Sequence, residues 1–231
     1  MLADFRQSLR QLKKSPGFTV TAVLTLALGI GATTAIFTLI QQVMLRKLPV
    51  VKPGELWKIG GKDRCCNWGG YTQGDDGDFT LFSWEAYQQF RDNAPAFTDL
   101  AAFQAGNTQL GVRAIGSSEQ AETRNGEFVS GNFFQTFGVG AWMGRLLVPA
   151  DDHEGAPPVA VMSYRTWLQH YGADRGVVGR SYLIDGHAFT VVGVAAPSFY
   201  GAILAGWGMP DFWMPLTTEP LVDGATTRLK H

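Results

Sequence analysis

Charge is what this chain of 231 residues has least of. Only 17% of its residues are Asp, Glu, Lys or Arg, and the net charge is −1, whereas ordinary soluble domains carry roughly 25% charged residues. So even a balance gives no basic surface for phosphate backbones, and no nucleic-acid partner is expected. Cysteine is almost missing too: Cys65 and Cys66 are the only two, and they are adjacent, which is not the C-x-x-C spacing of a zinc knuckle. His153, His170, His187 and His231 are scattered, so no metal-ligating cluster is expected. The acidic "GDDGDF" at 74–79 lacks the alternation and terminal Glu of a calcium loop, and reads as a solvated loop.

Enzyme signatures are absent as well. There is no G-x-S-x-G, and Ser130 in "FVSGN" has no histidine near it in sequence. Glu127, Asp151, Asp152 and Glu154 read as surface carboxylates, because such groups are seldom buried. The glycines of "GNFFQTFGVGAWMGRLL" (131–147) raise the question of a phosphate cradle, with Gly138, Gly140 and Gly144 spaced G-x-G-x-x-x-G. A dinucleotide fingerprint must follow a strand and open a helix. Here a helical turn precedes the glycines and Pro149 prevents a long helix after them, and no G-x-x-x-x-G-K-[ST] is present. The glycines are therefore expected to allow positive φ and close packing, in a turn anchored by Phe133, Phe134, Phe137 and Trp142. Neither catalysis nor a cofactor is expected.

The missing charge is concentrated in one place. No charged residue lies between Lys14 and Arg46, and about 20 apolar residues cross the hydrocarbon layer. Phe18 to Ile40 alone would make a helix about 34 Å long. A cleaved signal peptide has an apolar region of about 7–15 residues; here "IFTLI" continues past the small stretch "GIGATTA". The expectation is a transmembrane helix over 18–43, in contact with the lipid bilayer. Four basic residues precede it (Arg6, Arg10, Lys13, Lys14) and four follow (Arg46, Lys47, Lys52, Lys58), so the positive-inside count is balanced. A long domain translocates largely regardless of its charge, which places the short N-terminus in the cytoplasm. Phe5, Leu9 and Leu12 make residues 1–17 an amphipathic basic segment, and Pro16-Gly17 is expected to break the chain before the bilayer.

Within the span, Ala27, Gly31 and Ala35 recur every four residues, a ridge that lets a second helix approach closely. Six threonines there can bond either their own helix or another. Cys65 and Cys66 are a candidate redox pair. Neighbouring Cα atoms lie ~3.8 Å apart, shorter than the roughly 4.4–6.8 Å usual in disulfides. A vicinal bond would be strained, and free thiols or a bond elsewhere stay open.

From residue 46 to 231 the pattern is mixed. "SWEAYQQFRDN" predicts a helix capped by Ser83, with Trp84, Tyr87 and Phe90 on one face. "NTQLGVRAI" and "QAETRNGEFV" predict strands joined by a turn at 116–119. "PPVAVMS" predicts a strand, and "YRTWLQHYG" a helix capped by Ser163 and stopped by Gly172. "RSYLIDGHAFTVVGV" predicts a hairpin on a type I′ Asp185-Gly186 turn. The fold class is α+β: one N-terminal transmembrane helix followed by a mixed α/β extracytoplasmic domain with antiparallel hairpins.

Several stretches, taken in order, resemble a known family. "LRQLKKSPGFTVTAVLTLALGIGATTAIFTLIQQVMLRKLPV" is similar to the first transmembrane segment of MacB/FtsX-type ABC transporter permeases, in particular the acidobacterial-type duplicated orphan permeases. "FSWEAYQQFRDN", "EFVSGNFFQTFGVGAWMGRLLVPADD", "VAVMSYRTWLQHYG", "VVGRSYLIDGHAFTVVGVAAPSF" and "DFWMPL" resemble that family's periplasmic core domain, to about Leu216. The resemblance implies an inner-membrane efflux or transport component with a periplasmic main domain, a separate ATPase subunit, and a homodimer or pseudo-dimer of permease halves. Family members cross the membrane four times, and this sequence carries one such span. The chain is therefore expected to be the N-terminal part of a permease, with an external domain incomplete at its C-terminus. The competing expectation is a free-standing, single-pass periplasmic binding module without transport activity.

Overall fold

A computed structural model describes residues 14–44, 50, 52–59, 82–202 and 208–224. The chain divides into two compact units, one ending at Leu48 and the other beginning at Pro49.

Most of the described residues of the first unit form the long helix α1 (Pro16–Met44). Its segment Pro16–Thr38 is long and apolar enough to cross a membrane. Lys14 is helical and Ser15 is not, so the chain breaks directly ahead of α1, where Pro16-Gly17 led one to expect it, and Pro16 is the first residue of the long helix. Proline is tolerated there because the first-turn N–H groups have no intrahelical acceptor, and the Thr19 N–H already reaches the Ser15 carbonyl at 3.1 Å.

In the second unit, α2 (Trp84–Asn93) precedes β1 (Thr108–Ala114), β2 (Glu122–Val129) and α3 (Phe133–Phe137). Then follow β3 (Ala141–Gly144), β4 (Val159–Met162), α4 (Tyr164–His170), β5 (Ser181–Ile184) and β6 (His187–Ala195). Last come β7 (Phe212–Pro215) and α5 (Glu219–Asp223). The two anticipated caps are in place: Ser83 Oγ accepts from the Ala86 N–H at 3.2 Å, and Ser163 Oγ from the Thr166 N–H at 3.1 Å. Each satisfies a first-turn donor that the helix leaves free.

The strands form one mixed sheet in the order β3-β6-β4-β7-β2-β1-β5, and β5 also pairs with β6. Six strands (β6, β4, β7, β2, β1, β5) therefore close into a ring, with β3 as an appendage on β6. The β1–β2, β1–β5, β5–β6, β3–β6 and β4–β7 pairs are antiparallel, whereas β2–β7 and β4–β6 are parallel. Closure works because β6 is long. Its first half, His187 to Thr190, pairs with β5, and its second half, from Gly193, pairs with β3, while β4 runs along its other edge. The β5–β6 turn has Asp185 at φ 46° and Gly186 at φ 86°, the two positive values a type I′ turn needs.

Alternation fills the ring. Leu110, Val112, Phe128, Met162, Tyr182, Ile184, Phe189, Val191, Phe212 and Met214 form one buried cluster with Trp167 of α4. In β6 the register shifts so that Ala160 faces Val191 and Val161 faces Gly193. The extra residue, Val192, is a bulge, and it lets Val191 and Val194 both join the inner cluster. A second cluster lies on the outer face of β2, β7 and β4. There Val129, Val161 and Trp213 meet Phe133 and Phe134 of α3, and Phe199. The part of the sheet formed by these three strands is therefore buried on both faces.

Candidate functional site

In α1, Ala27, Gly31 and Ala35 are exposed. A Cβ added at Gly31 would meet no atom within 4 Å, so this stripe is open to whatever surrounds the helix. The threonines resolve the choice that the sequence left open. Thr19, Thr21, Thr25, Thr33, Thr34 and Thr38 each donate to the carbonyl four residues earlier, at 2.7–3.0 Å. Their donors are used inside the helix, and only their remaining lone pairs can accept from a neighbour. Cys65, Cys66, His231 and the acidic loop at 74–79 lie outside the described residues.

In the second unit, Ser130 is 1% exposed. Its hydroxyl donates to Asn132 Oδ1 at 2.7 Å and accepts from the Ala102 N–H at 2.9 Å. Asn132 in turn donates to Asp99 Oδ1 at 2.6 Å and to the Leu100 carbonyl at 2.8 Å. These bonds tie the 99–104 stretch to the end of β2; they give Ser130 a structural task. Among the described residues, no group of three or more His, Cys, Asp and Glu side chains is placed to hold a metal ion.

The four carboxylates expected at the surface are corrected by the structure in part. Glu154 is exposed, but Asp151 is buried and forms a two-pronged ion pair with Arg145, at 2.6 and 2.9 Å. Burial alone would raise the Asp151 pKa. The Arg145 guanidinium and the Val148 N–H outweigh it and hold the carboxyl below its usual value. Asp152 accepts from the backbone N–H groups of Gly131 and Thr217, at 3.0 and 2.9 Å, and so ties α3's entry to the chain beyond β7.

Glu127 departs furthest from expectation, at 3% exposed. It stands on the outer face of β2, directly across from Trp213 in the parallel β2–β7 register, and its Oε2 accepts the indole N–H at 2.8 Å. Burial in this apolar layer pushes its pKa up to about 7, while the Trp213 N–H bond pulls in the opposite direction. Sequence reasoning missed it because residue type alone argues for exposure. The signal was the setting: in "GEFV" the charge interrupts a run that is buried on both faces.

Asp211 was missed as well. It is 6% exposed, accepts from the Asn125 N–H at 2.9 Å, pairs with Arg165 at 3.1 Å and takes a short bond from the Thr166 hydroxyl. It joins the starts of β7 and α4. A shallow open groove at the β1–β2 and β5–β6 turns is bounded by Arg113, Glu119 and Asp185. Its Asp185 carboxylate is committed to the Gly111 N–H at 2.7 Å.

The glycine stretch has the conformational role expected of it at two of its three spaced positions. Gly138 ends α3 at φ 65°, and the Val139 N–H behind it bonds the Phe134 carbonyl, a left-handed helix stop. At Gly144, φ is 69° and a Cβ would lie 2.3 Å from the Val192 carbonyl oxygen. Gly140 meets neither condition. Phe133 and Phe134 are fully buried anchors, but Trp142 is 54% exposed and packs edge-on against Tyr164. It points away from the anchor cluster because β3 hangs on the edge of the ring and has a free outer side.

The bonds of Ser130, Asn132, Asp151, Asp152, Glu127 and Asp211 join segments of the domain to one another. Residues 19–229 match the model of the MacB-like periplasmic core domain. No curated protein matches the chain. Among solved structures, the periplasmic region of MacB from Actinobacillus actinomycetemcomitans is 14% identical with a TM-score of 0.46, the match covering 63% of this chain and 59% of that one. The extracellular domain of the noncanonic ABC-type transporter YknZ from Gram-positive bacteria is 13% identical with a TM-score of 0.48, covering 64% of this chain and 70% of that one. The family match takes in nearly all of α1 and the whole ring, and the chain belongs to the MacB-like periplasmic core domain family.

Proposed function

We propose that the chain is a permease component of an ABC-type transport or efflux system. In this reading α1 anchors it in the inner membrane with the N-terminus in the cytoplasm. The domain from residue 46 onward stands in the periplasm, contacts substrate or partner proteins, and transmits motion driven by a separate ATPase subunit. The observation that carries the proposal is the family match running unbroken from residue 19 to 229, through an apolar helix and a closed ring in one chain. A ring with both faces of several strands packed is suited to moving as a body, because deforming it would break ladder bonds and core contacts together. The Ala27, Gly31 and Ala35 ridge is then where a helix of a second permease half packs. Affinity purification of the full-length protein from native membranes, with quantification of bound ATPase, tests the reading. Stoichiometric recovery of an ATP-hydrolysing subunit is expected; recovery of the protein alone under conditions that keep membrane complexes intact would overturn it.

A further inference from the structure

Among the described residues, the Glu127 carboxylate is the one acid whose pKa is strongly raised, and no ion pair holds it. Across the ring wall, Trp213 divides its contacts. Its indole N–H goes to Glu127, and its ring packs against Phe134 and Phe199, both at 5.5 Å between centroids. On the far side, the chain after β6 lies over the carboxylate. A Cβ at Gly201 would stand 3.5 Å from Glu127 Oε2 and 3.4 Å from the Pro210 ring. The acid is thus enclosed by β2, β7 and the flanking stretches at 199–202 and 208–210.

Among the described residues no counter-charge balances it. On the same face of β2 the neighbours are Asn125 and Val129, and on β4 they are Val159 and Val161. Just before β7, Asp211 is held by Arg165 and Thr166. Helix α3 contributes Phe133 and Phe134, and the covering stretches carry no Asp, Glu, Lys, Arg or His; Tyr200 is their only ionisable side chain. Burial and the indole N–H are the two influences on the acid. An ionised carboxylate in such surroundings keeps the indole donor and loses its hydration, so the neutral form is favoured there.

We propose that Glu127 is a proton-operated latch that holds the 199–202 and 208–210 stretches over the outer face of the β2–β7 pair. As the neutral acid it sits in the apolar layer and accepts the Trp213 N–H. When it releases its proton to water, the carboxylate seeks solvent, and the stretches above it open. The latch resides in the domain alone and does not depend on the transport reading. It would make the outer layer sensitive to the pH of the compartment the domain faces.

Hydrogen exchange on the full chain in detergent micelles tests this, following peptides that cover 196–202 and 208–215. Protection is corrected for the pH dependence of the intrinsic rates. Displacement of the acid from 4.5 to about 7 corresponds to opening that increases by up to about 300-fold between about pH 4.5 and well above 7. The β1–β5 ladder should show no such change. Glu127→Gln should stay protected throughout, and Trp213→Phe should move the midpoint upward, because the indole N–H favours the ionised form. Equal protection at both ends of the pH range in the wild type, or an unchanged transition in Glu127→Gln, would overturn the latch. Should either variant fail to fold, infrared spectroscopy of wild-type protein with 13C-labelled glutamate decides. A buried protonated carboxyl band at about pH 6 is expected, and its absence would overturn the proposal.

Discussion

The interior of the ring leaves no room for a side chain at Gly126, and this gives a quantitative test of its closure. Gly126 lies on β2 with its α-carbon directed inward. A Cβ there would sit 2.2 Å from Leu110 Cδ1, 2.9 Å from Leu110 Cγ and 2.9 Å from Met214 Cε. Carbon atoms pack best at about 3.5–4 Å, so Leu110 would have to retreat by more than ~1 Å. It is fully buried and cannot swing into water. Overpacking of this kind costs ~1–3 kcal/mol, the expected destabilisation of Gly126→Ala. Leu110→Ala alone should cost ~2–5 kcal/mol through lost transfer energy and a cavity. In the double variant the new methyl enters the space vacated by Leu110, so the two costs should fall short of their sum by ~1–3 kcal/mol. Urea unfolding of the full chain in mild detergent, followed by near-UV circular dichroism, supplies all four corners of the cycle. Strict additivity, or a neutral Gly126→Ala, would refute the packing of β1, β2 and β7 around a shared interior.

Three further outcomes are expected. Asp151 has its folded pKa depressed, so the stability from its pairing with Arg145 is present above about 3.8 and is lost as pH falls through the depressed value. Arg145→Met should therefore cost ~1–2 kcal/mol near neutrality, moderated by the half-exposed arginine, with a gap to wild type that narrows in acid titration of stability. Glu127 behaves in the opposite sense: its raised pKa contributes stability that is full below about 4.5 and lost as pH rises through about 7. Glu127→Gln should gain up to ~3 kcal/mol on the wild type at alkaline pH, read as a melting temperature higher by up to ~6–12 °C; equal melting points there would contradict the burial argument. Gly31→Leu should weaken association of the full-length protein in membranes, by cross-linking yield, without moving the urea midpoint of the second unit. A matching loss in both would assign Gly31 to folding instead of packing.

What the sequence made legible was local. The uncharged run specifies α1 by length alone, Ser83 and Ser163 mark helix starts through a hydroxyl and a first-turn donor, and Asp185-Gly186 marks the tight hairpin through its positive φ values. Each is a decision between a residue and its near neighbours. The ring is not local. Glu127 and Trp213 stand 86 positions apart, and no turn residue announces that β2 and β7 run parallel. Closure depends on β6 pairing with β5 along its first half and with β4 along its second, where the register passes over a one-residue bulge at Val192. The buried acids follow from this: Glu127 and Asp211 are enclosed only once strands distant in sequence meet. The anchoring of Phe133 and Phe134 was visible in their clustering, whereas the exposure of Trp142 depends on β3 being the end strand, paired with β6 alone among the described strands.

The most direct test of the permease account is a distance. Spin labels placed at exposed Leu168 on two copies of the full-length protein, reconstituted in lipid with the ATPase subunit, report how far apart the domains stand. The account predicts a distance that changes when a non-hydrolysable ATP analogue is added and is restored when it is removed, with the label mobility of each domain unchanged. A distance distribution indifferent to nucleotide, in a complex that hydrolyses ATP, would contradict it.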